Sequence, residues 1–124
     1  MDYVLVNNME KIDKAIRYAK LYNIYKSQLS KTQQEIIEDY YFADLSITEI
    51  AENRSISRSA VEDALSKGSN KLDELEKELK VLEKSESTKE KLESLKSRAL
   101  NMKEVEEIEE IEKGLDYGIW SIDR

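Results

Sequence analysis

Apolar residues recur at steps of three or four along most of the chain, which is the spacing of one face of an α-helix. The first such run predicts a helix over residues 9–25. Three further apolar residues widen its face and indicate contacts with two neighbouring helices: Tyr18, Leu21 and Ile24. We expect one buried stripe on this helix, made of Met9, Ile12, Ile16, Ala19, Tyr22 and Tyr25.

Two capping-box spacings predict where the next helices begin. Ser30 is followed by Gln33, and Ser46 by Glu49, and such serines accept a backbone N–H that the first helical turn leaves unpaired. The helix after Ser30 should end near residue 43, and the helix after Ser46 should be only about two turns long. Their predicted core residues are Ile36, Ile37, Tyr40 and Tyr41 for the former, and Ile47, Ile50 and Ala51 for the latter.

Residues 46–66 have the spacing of a helix-turn-helix. That motif needs a small residue on its first helix, so that the second helix can cross it closely, and apolar residues around a tight turn. An apolar residue and a glycine are usual where Arg54 and Ser55 stand, so we expect Arg54 to direct its guanidinium outward. The second helix is capped by Ser57. The motif's small and apolar residues are Ile50, Ala51, Ile56, Val61 and Ala64.

Beyond the motif, leucines continue at alternating steps of four and three, which predicts that the fourth helix extends as a long arm with a heptad-like seam. Gly68 on this seam kinks the arm, admits a neighbouring helix or is merely tolerated. Either a partner chain or helices from residues 88–113 cover the seam, and we expect a dimer. The residues assigned to self-association are Val61, Leu65, Leu72, Leu75, Leu79, Leu82 and, near the C-terminus, Trp120.

The C-terminal part predicts two more helices and an apolar tail. Residues 85–88 interrupt the seam, and Ser87 with Glu90 predicts a new start; Asn101 with Glu104 predicts another, which Gly114 should end. The tail packs on the domain or on a second copy, or else it is a free end. The expected division is 1–67 for the helix-turn-helix domain, 68–114 for the arm and 115–124 for the tail. The residues expected to face inward are Leu92, Leu95, Ala99, Met102, Val105, Ile108, Ile111, Tyr117, Ile119, Trp120 and Ile122.

Composition argues against an enzyme. The chain has 124 residues, no cysteine and no histidine, so thiolate or imidazole nucleophiles, disulfides and the usual zinc ligands are excluded. We expect no catalytic residue, cofactor or metal, and we interpret the tyrosines at core spacing as packing residues with hydrated hydroxyls. Neither a secretory signal nor a membrane span is apparent in the sequence, which predicts a cytoplasmic protein.

Charge bears on what the helix-turn-helix contacts. The formal net charge is −7, whereas nucleic-acid binders draw affinity from clustered Lys and Arg. In the second helix of the motif, Glu62 and Asp63 oppose DNA and only Arg58 and Lys67 favour it, so protein docking is the better interpretation. A dimeric DNA-binding regulator is the alternative. The expected contact residues are Ser57, Arg58, Ser59, Glu62, Asp63, Ser66 and Lys67.

Residues 8–112 resemble the YlxM family of small bacterial helix-turn-helix proteins. The resemblance lies in residues 29–33, the pair Tyr40–Tyr41, residues 44–51 and 57–61, and the Leu- and Glu-rich stretch to residue 84. It implies an all-helical fold related to the promoter-reading domain of sigma factors, with a long helical C-terminal extension and self-association. Because such genes accompany those of the signal recognition particle GTPase and its receptor, it also implies that GTPase or its RNA as a partner.

Overall fold

The computed structural model of the chain describes residues 3–99 and 101–116, and within these ranges the fold is all-helical, as predicted. A 3-10 turn at Lys26–Gln28 follows the first helix, and a π-helical turn at Glu38–Phe42 continues the second. None of the described helices is long and apolar enough to cross a membrane. The six α-helices are α1 Tyr3–Tyr25, α2 Lys31–Ile37, α3 Ile47–Arg54, α4 Arg58–Leu79, α5 Val81–Ser97 and α6 Met102–Asp116.

Four of the predicted helix starts are confirmed by their caps. Ser30 and Ser46 each accept the backbone N–H of the residue three positions on, and the Gln33 and Glu49 side chains each accept the N–H of the serine in return. Ser57 caps α4 by accepting the Ala60 N–H, and Asn101 caps α6 by accepting the Glu104 N–H at 3.0 Å. Local hydrogen-bond chemistry therefore fixes where α2, α3, α4 and α6 begin.

The single buried stripe predicted for α1 is wrong in its N-terminal half. Met9, Ile12 and Ile16 are 52, 58 and 49% exposed, whereas the last turns of the helix are buried. At about 100° per residue, Met9, Ile12 and Ile16 lie on the side of the helix away from Tyr18. The main core is built on the other side, from Leu21, Tyr22, Ile24 and Tyr25 of α1 with Leu29, Ile37, Leu72 and Leu82.

The predicted arm ends earlier than expected. Helix α4 stops at Leu79, because Lys80 adopts a left-handed backbone with φ 54°, and α5 begins at Val81. The expected break at residues 85–88 and the helix start at Ser87 are wrong, since α5 runs through both. Position 67, the predicted end of the first domain, lies inside α4.

The seam of α4 is covered by the same chain. Val61 and Leu72 are fully buried and Leu82, now on α5, is 8% exposed. Leu65 and Leu75 pack against the cores from α4, while Leu79 is 44% exposed. Neither covering element expected from the sequence is used, because α1, α2 and α3 occupy the seam. No second copy is needed to bury these positions; Trp120 lies outside the described residues.

Helices α5 and α6 pair with each other and leave several predicted inward residues open. Leu95 is 50%, Met102 73% and Ile111 43% exposed, contrary to expectation. Gly114 does not end the last helix, which continues to Asp116. Lys96 joins the two helices through Glu109 at 3.2 Å and Glu112 at 3.8 Å. A hydrogen bond from Glu93 raises the pKa of the Glu112 carboxyl.

A buried carboxylate ties α1, α4 and α5 together at the corner after α4. The Tyr25 hydroxyl donates to Glu76 at 2.7 Å, and Glu76 accepts the backbone N–H groups of Leu82 at 3.0 Å and Glu83 at 3.1 Å. Glu76 therefore caps α5 from the last turn of α4, which suits a negative charge. Tyr18 likewise donates to Asp73 at 2.7 Å, so these core tyrosine hydroxyls are bonded to carboxylates and not merely hydrated.

These contacts predict a loss of stability at alkaline pH. Burial, with the hydrogen bond to Glu76, raises the pKa of Tyr25 to about 12 from its ordinary 10.0. The unfolded chain thus loses this proton first, and the stabilisation is lost as pH rises from about 10 to about 12. We expect Tyr25→Phe to lower the free energy of unfolding near neutral pH by about 1–3 kcal/mol and to flatten its decline above pH 10. Urea denaturation across this range measures both effects.

Tyr40→Phe is the matched control, because the Tyr40 side chain is 37% exposed and packs edge-on against Tyr41 at 4.9 Å between ring centroids. Its exposure also corrects the prediction that Tyr40 belongs to the core. Parallel stability curves for wild type and Tyr25→Phe would contradict the assignment.

Gly68 lies where α2 approaches α4 most closely. A methyl group at this position would come within 2.7 Å of the Cδ1 atom of Ile37, which is fully buried. Close approach is therefore the reading of Gly68 that the distance supports.

Gly68→Ala should lower the free energy of unfolding by about 1 kcal/mol, because overpacking costs about 1–3 kcal/mol and outweighs the gain in helix propensity. In an Ile37→Val background, which removes Cδ1, the same change should raise stability by about 0.5–1 kcal/mol. A double-mutant cycle by chemical denaturation measures the coupling. Equal effects in both backgrounds would show that Ile37 is not the obstacle.

Candidate docking face of the helix-turn-helix

The corner predicted for residues 46–66 is present: α3 ends at Arg54, a tight turn follows, and α4 begins at Arg58. Ser55 adopts the left-handed conformation with φ 55°, and the Ile56 N–H donates to the Ala51 carbonyl at 3.0 Å. Ser57 then caps α4. The turn thus reverses the chain with hydrogen bonds at both helix ends.

A small apolar core holds the two helices at this angle. Ile50 and Val61 are fully buried, and Ala51 is 6% exposed where the second helix crosses the first. Ile36 of α2 completes the cluster from below. Ile56 was predicted to pack in the turn but is 37% exposed, since the left-handed Ser55 turns the following residue towards solvent.

Arg54 lies outside this core, as expected, but it is held by two acids. Its Nε donates to Asp39 at 2.6 Å and its Nη1 to Glu35 at 3.0 Å. The hydrogen bond to Asp39 raises the pKa of the guanidinium. Sequence reasoning missed both partners, although acids one helical turn apart are a recognisable signal for a paired arginine. The charge of Arg54 is thereby consumed within the domain.

The seven residues expected to make contacts are all exposed on the first turns of α4 or at its cap. We call them the docking face: Ser57, Arg58, Ser59, Glu62, Asp63, Ser66 and Lys67.

Both cations of the docking face are paired with acids of the same helix. Arg58 lies 4.0 Å from Glu62, and Lys67 lies 3.1 Å from Asp63, each one turn apart. Such exposed pairs contribute about 0–1 kcal/mol to stability, so they rearrange readily. The face nevertheless carries no net charge, and its two cations already have anionic neighbours.

The surface beside the docking face is polar and mixed in charge. A shallow groove next to Lys67 is lined by Gln28, Gln33, Asn70, Lys71 and Glu74. Among the described residues, no group of three or more acidic side chains is placed to hold a metal ion. Ion pairing and hydrogen bonding are therefore the chemistry that this region offers.

These elements define an all-helical protein organised around a helix-turn-helix. The chain belongs to the UPF0122 family, whose model matches residues 12–112 and is described as "Putative helix-turn-helix protein, YlxM / p13 like".

Three bacterial relatives of the same family illustrate the similarity. A UPF0122 protein of Fusobacterium nucleatum is 41% identical over 69 residues, covering 56% of this chain and 67% of the relative. The relative from Malacoplasma penetrans is 42% identical over 60 residues, covering 48% and 56%. The relative from Shouchella clausii is 36% identical over 70 residues, covering 56% and 64%. The matched segments thus span about two thirds of these relatives or less. No solved structure is significantly similar.

The strained turn predicts a stabilising substitution. A left-handed conformation costs a non-glycine residue about 1–2 kcal/mol. Part of the gain is lost to the greater freedom of glycine in the unfolded chain, so Ser55→Gly should raise the free energy of unfolding by about 0.5–1 kcal/mol. Ser59→Gly, in the first turn of α4, is the control and should lower it by about 0.5 kcal/mol. Thermal and urea denaturation distinguish the two; a loss of stability in Ser55→Gly would contradict the role given to this turn.

Proposed function

We propose that this chain is a non-enzymatic accessory protein that docks its helix-turn-helix onto a basic surface of a protein or ribonucleoprotein. One observation carries this proposal: Arg58 and Lys67 are each paired with an acid of the docking face, so the face has no excess positive charge for phosphate. The third nearby cation, Arg54, is paired with Glu35 and Asp39. A partner with Lys or Arg side chains meets Glu62 and Asp63, while the serine hydroxyls supply neutral hydrogen bonds.

The net charge of the chain supports a basic partner. A formal charge of −7 attracts positively charged molecules over distances beyond direct contact and speeds their encounter, most strongly at low salt. The resemblance to the YlxM family makes the signal recognition particle GTPase, alone or with its RNA, the first partner to test. Under this proposal the chain regulates or assists that pathway by binding, without chemistry of its own.

A DNA-binding regulator that acts as a dimer is the second candidate. The exposed first turns of α4 favour it, because helix-turn-helix proteins insert this part of the second helix into the major groove, and dimers do so at two half-sites. Such binding would have to release Arg58 and Lys67 from their pairs. It would also have to overcome the repulsion between DNA and the acids of the docking face.

One titration series compares these functions. We expect the fluorescently labelled protein to bind the purified particle GTPase at 50 mM salt and more weakly at 300 mM salt. Replacing both acids of the docking face, in Glu62→Lys/Asp63→Lys, should weaken binding at least tenfold, since like charges then face the partner. Glu106→Lys/Glu107→Lys changes the charge equally on exposed positions of α6 and should keep more of the affinity.

The same titration has two outcomes against docking. Absence of binding to the GTPase, with and without its RNA, at 50 mM salt would refute the proposed partner. Binding to duplex DNA that is lost on Arg58→Ala would favour the alternative function instead.

A further inference from the structure

Helix α1 has a second apolar strip that the rest of the described chain leaves open. Met9, Ile12 and Ile16 are each about half exposed, at 52, 58 and 49%. By helical spacing they face away from Tyr18 and the core. Apolar side chains that are scattered singly need no partner, but three on consecutive turns of one helix form a continuous strip. We call it the outer strip of α1, and it extends through Ala19 to Asn23.

The outer strip has the spacing of a coiled-coil seam. Met9, Ile12, Ile16, Ala19 and Asn23 follow at steps of three, four, three and four, which are the a and d positions of successive heptads. Asn23 occupies an a position and is exposed. A single asparagine at such a position is a recognised device for fixing register and a two-stranded state, because it pairs with its own copy.

We propose that the outer strip pairs in parallel with the outer strip of a second copy of this chain, forming a two-fold symmetric dimer. In a parallel pair each residue of the strip meets its own counterpart across the axis, so Ile16 packs on Ile16 and Asn23 bonds to Asn23. An antiparallel pair would set Asn23 against a different residue.

The charges beside the strip agree with this orientation. One flank carries Asp13 and Lys20, and the other carries Asn8 and Ala15. Parallel pairing places Asn8 beside the partner's Asp13 and Ala15 beside the partner's Lys20, so no like charges meet.

Antiparallel pairing is less favourable. With Ile12 opposite Ile16, which buries the apolar residues best, the two copies of Asp13 lie side by side. Lys20 is engaged in its own chain, with Nζ 3.1 Å from Glu86.

The size of the strip predicts a weak dimer. From Met9 to Asn23 the helix makes about four turns, or roughly 20 Å. Three half-exposed apolar side chains amount to a patch of a few hundred Å², less than the roughly 800 Å² per partner of a standard stable interface. Dissociation in the micromolar range follows. The inference does not depend on what the docking face binds, and the leucine seam of α4, buried within the chain, takes no part.

Sedimentation of the full chain from about 5 to 500 μM tests the dimer. We expect a monomer–dimer equilibrium that Ile12→Glu/Ile16→Glu shifts at least tenfold towards monomer. Leu95→Glu/Met102→Glu is the matched control, because those residues are 50 and 73% exposed on other helices, and it should leave the equilibrium unchanged. Circular dichroism checks that both variants keep their helix content, which is expected because all four positions face solvent.

Asn23→Ile separates a coiled-coil seam from other uses of the strip. An apolar a position strengthens the pairing of two helices, so the dimer should tighten by more than tenfold. A chain lacking residues 117–124 should dimerise as the full chain does. If this truncation abolishes the dimer, or if the chain is monomeric throughout, the proposal is overturned.

Orientation is tested by a single cysteine, since the chain has none of its own. Ile16→Cys should form a disulfide between copies on mild oxidation, because equivalent a positions of a parallel pair lie within disulfide reach. Glu107→Cys, exposed on α6, is the control for random collision. No more cross-linking in Ile16→Cys than in the control would overturn the parallel arrangement.

Discussion

The packing of α4 against three other helices is the constraint on which the rest of the structure depends. Its first turns cross α3 at Ala51, its middle meets α2 at Gly68, and Leu72 enters the core formed by α1. Each crossing needs a residue of a particular size, because closely packed interiors tolerate little change in volume. The docking face therefore lies on the free side of a helix that is fixed from beneath, which keeps its side chains in a defined arrangement.

Helix α4 also ends in a defined way. Glu76 closes the corner by binding Tyr25 and the first N–H groups of α5, and the left-handed Lys80 makes the change of direction. A carboxylate this buried is tolerated because hydrogen-bond donors surround it, and removing one of them leaves a costly unpaired charge. The three helices α1, α4 and α5 are thus joined by polar as well as apolar contacts.

Local signals in the sequence predicted the caps of α2, α3, α4 and α6 and the corner of the helix-turn-helix. These features depend on residues within a few positions of each other, such as Ser46 with Glu49. The errors came from long-range choices. Apolar spacing on α1 is present on two faces, and spacing alone did not show that Tyr18 and Leu21 face the core while Ile12 does not. The leucine seam was likewise assigned to another copy, whereas α1, α2 and α3 cover it.

The candidate site was predictable in position but not in its electrostatics. Exposure of the docking face followed from helical periodicity once Val61 was placed in the core. The pairing of Arg54 with Asp39 and Glu35 depends on the π-helical turn after α2, which gives no clear sign in the sequence.

This pairing changes how the site should be understood. Counting Lys and Arg near a helix-turn-helix overestimates its affinity for phosphate when those cations already have acidic neighbours. The relevant quantity is the cost of exchanging one anion for another. Here that exchange would replace Asp39, Glu35, Glu62 and Asp63, while the displaced carboxylates would remain beside the incoming phosphates. A cationic partner avoids this cost because it adds a favourable contact to acids that stay in place.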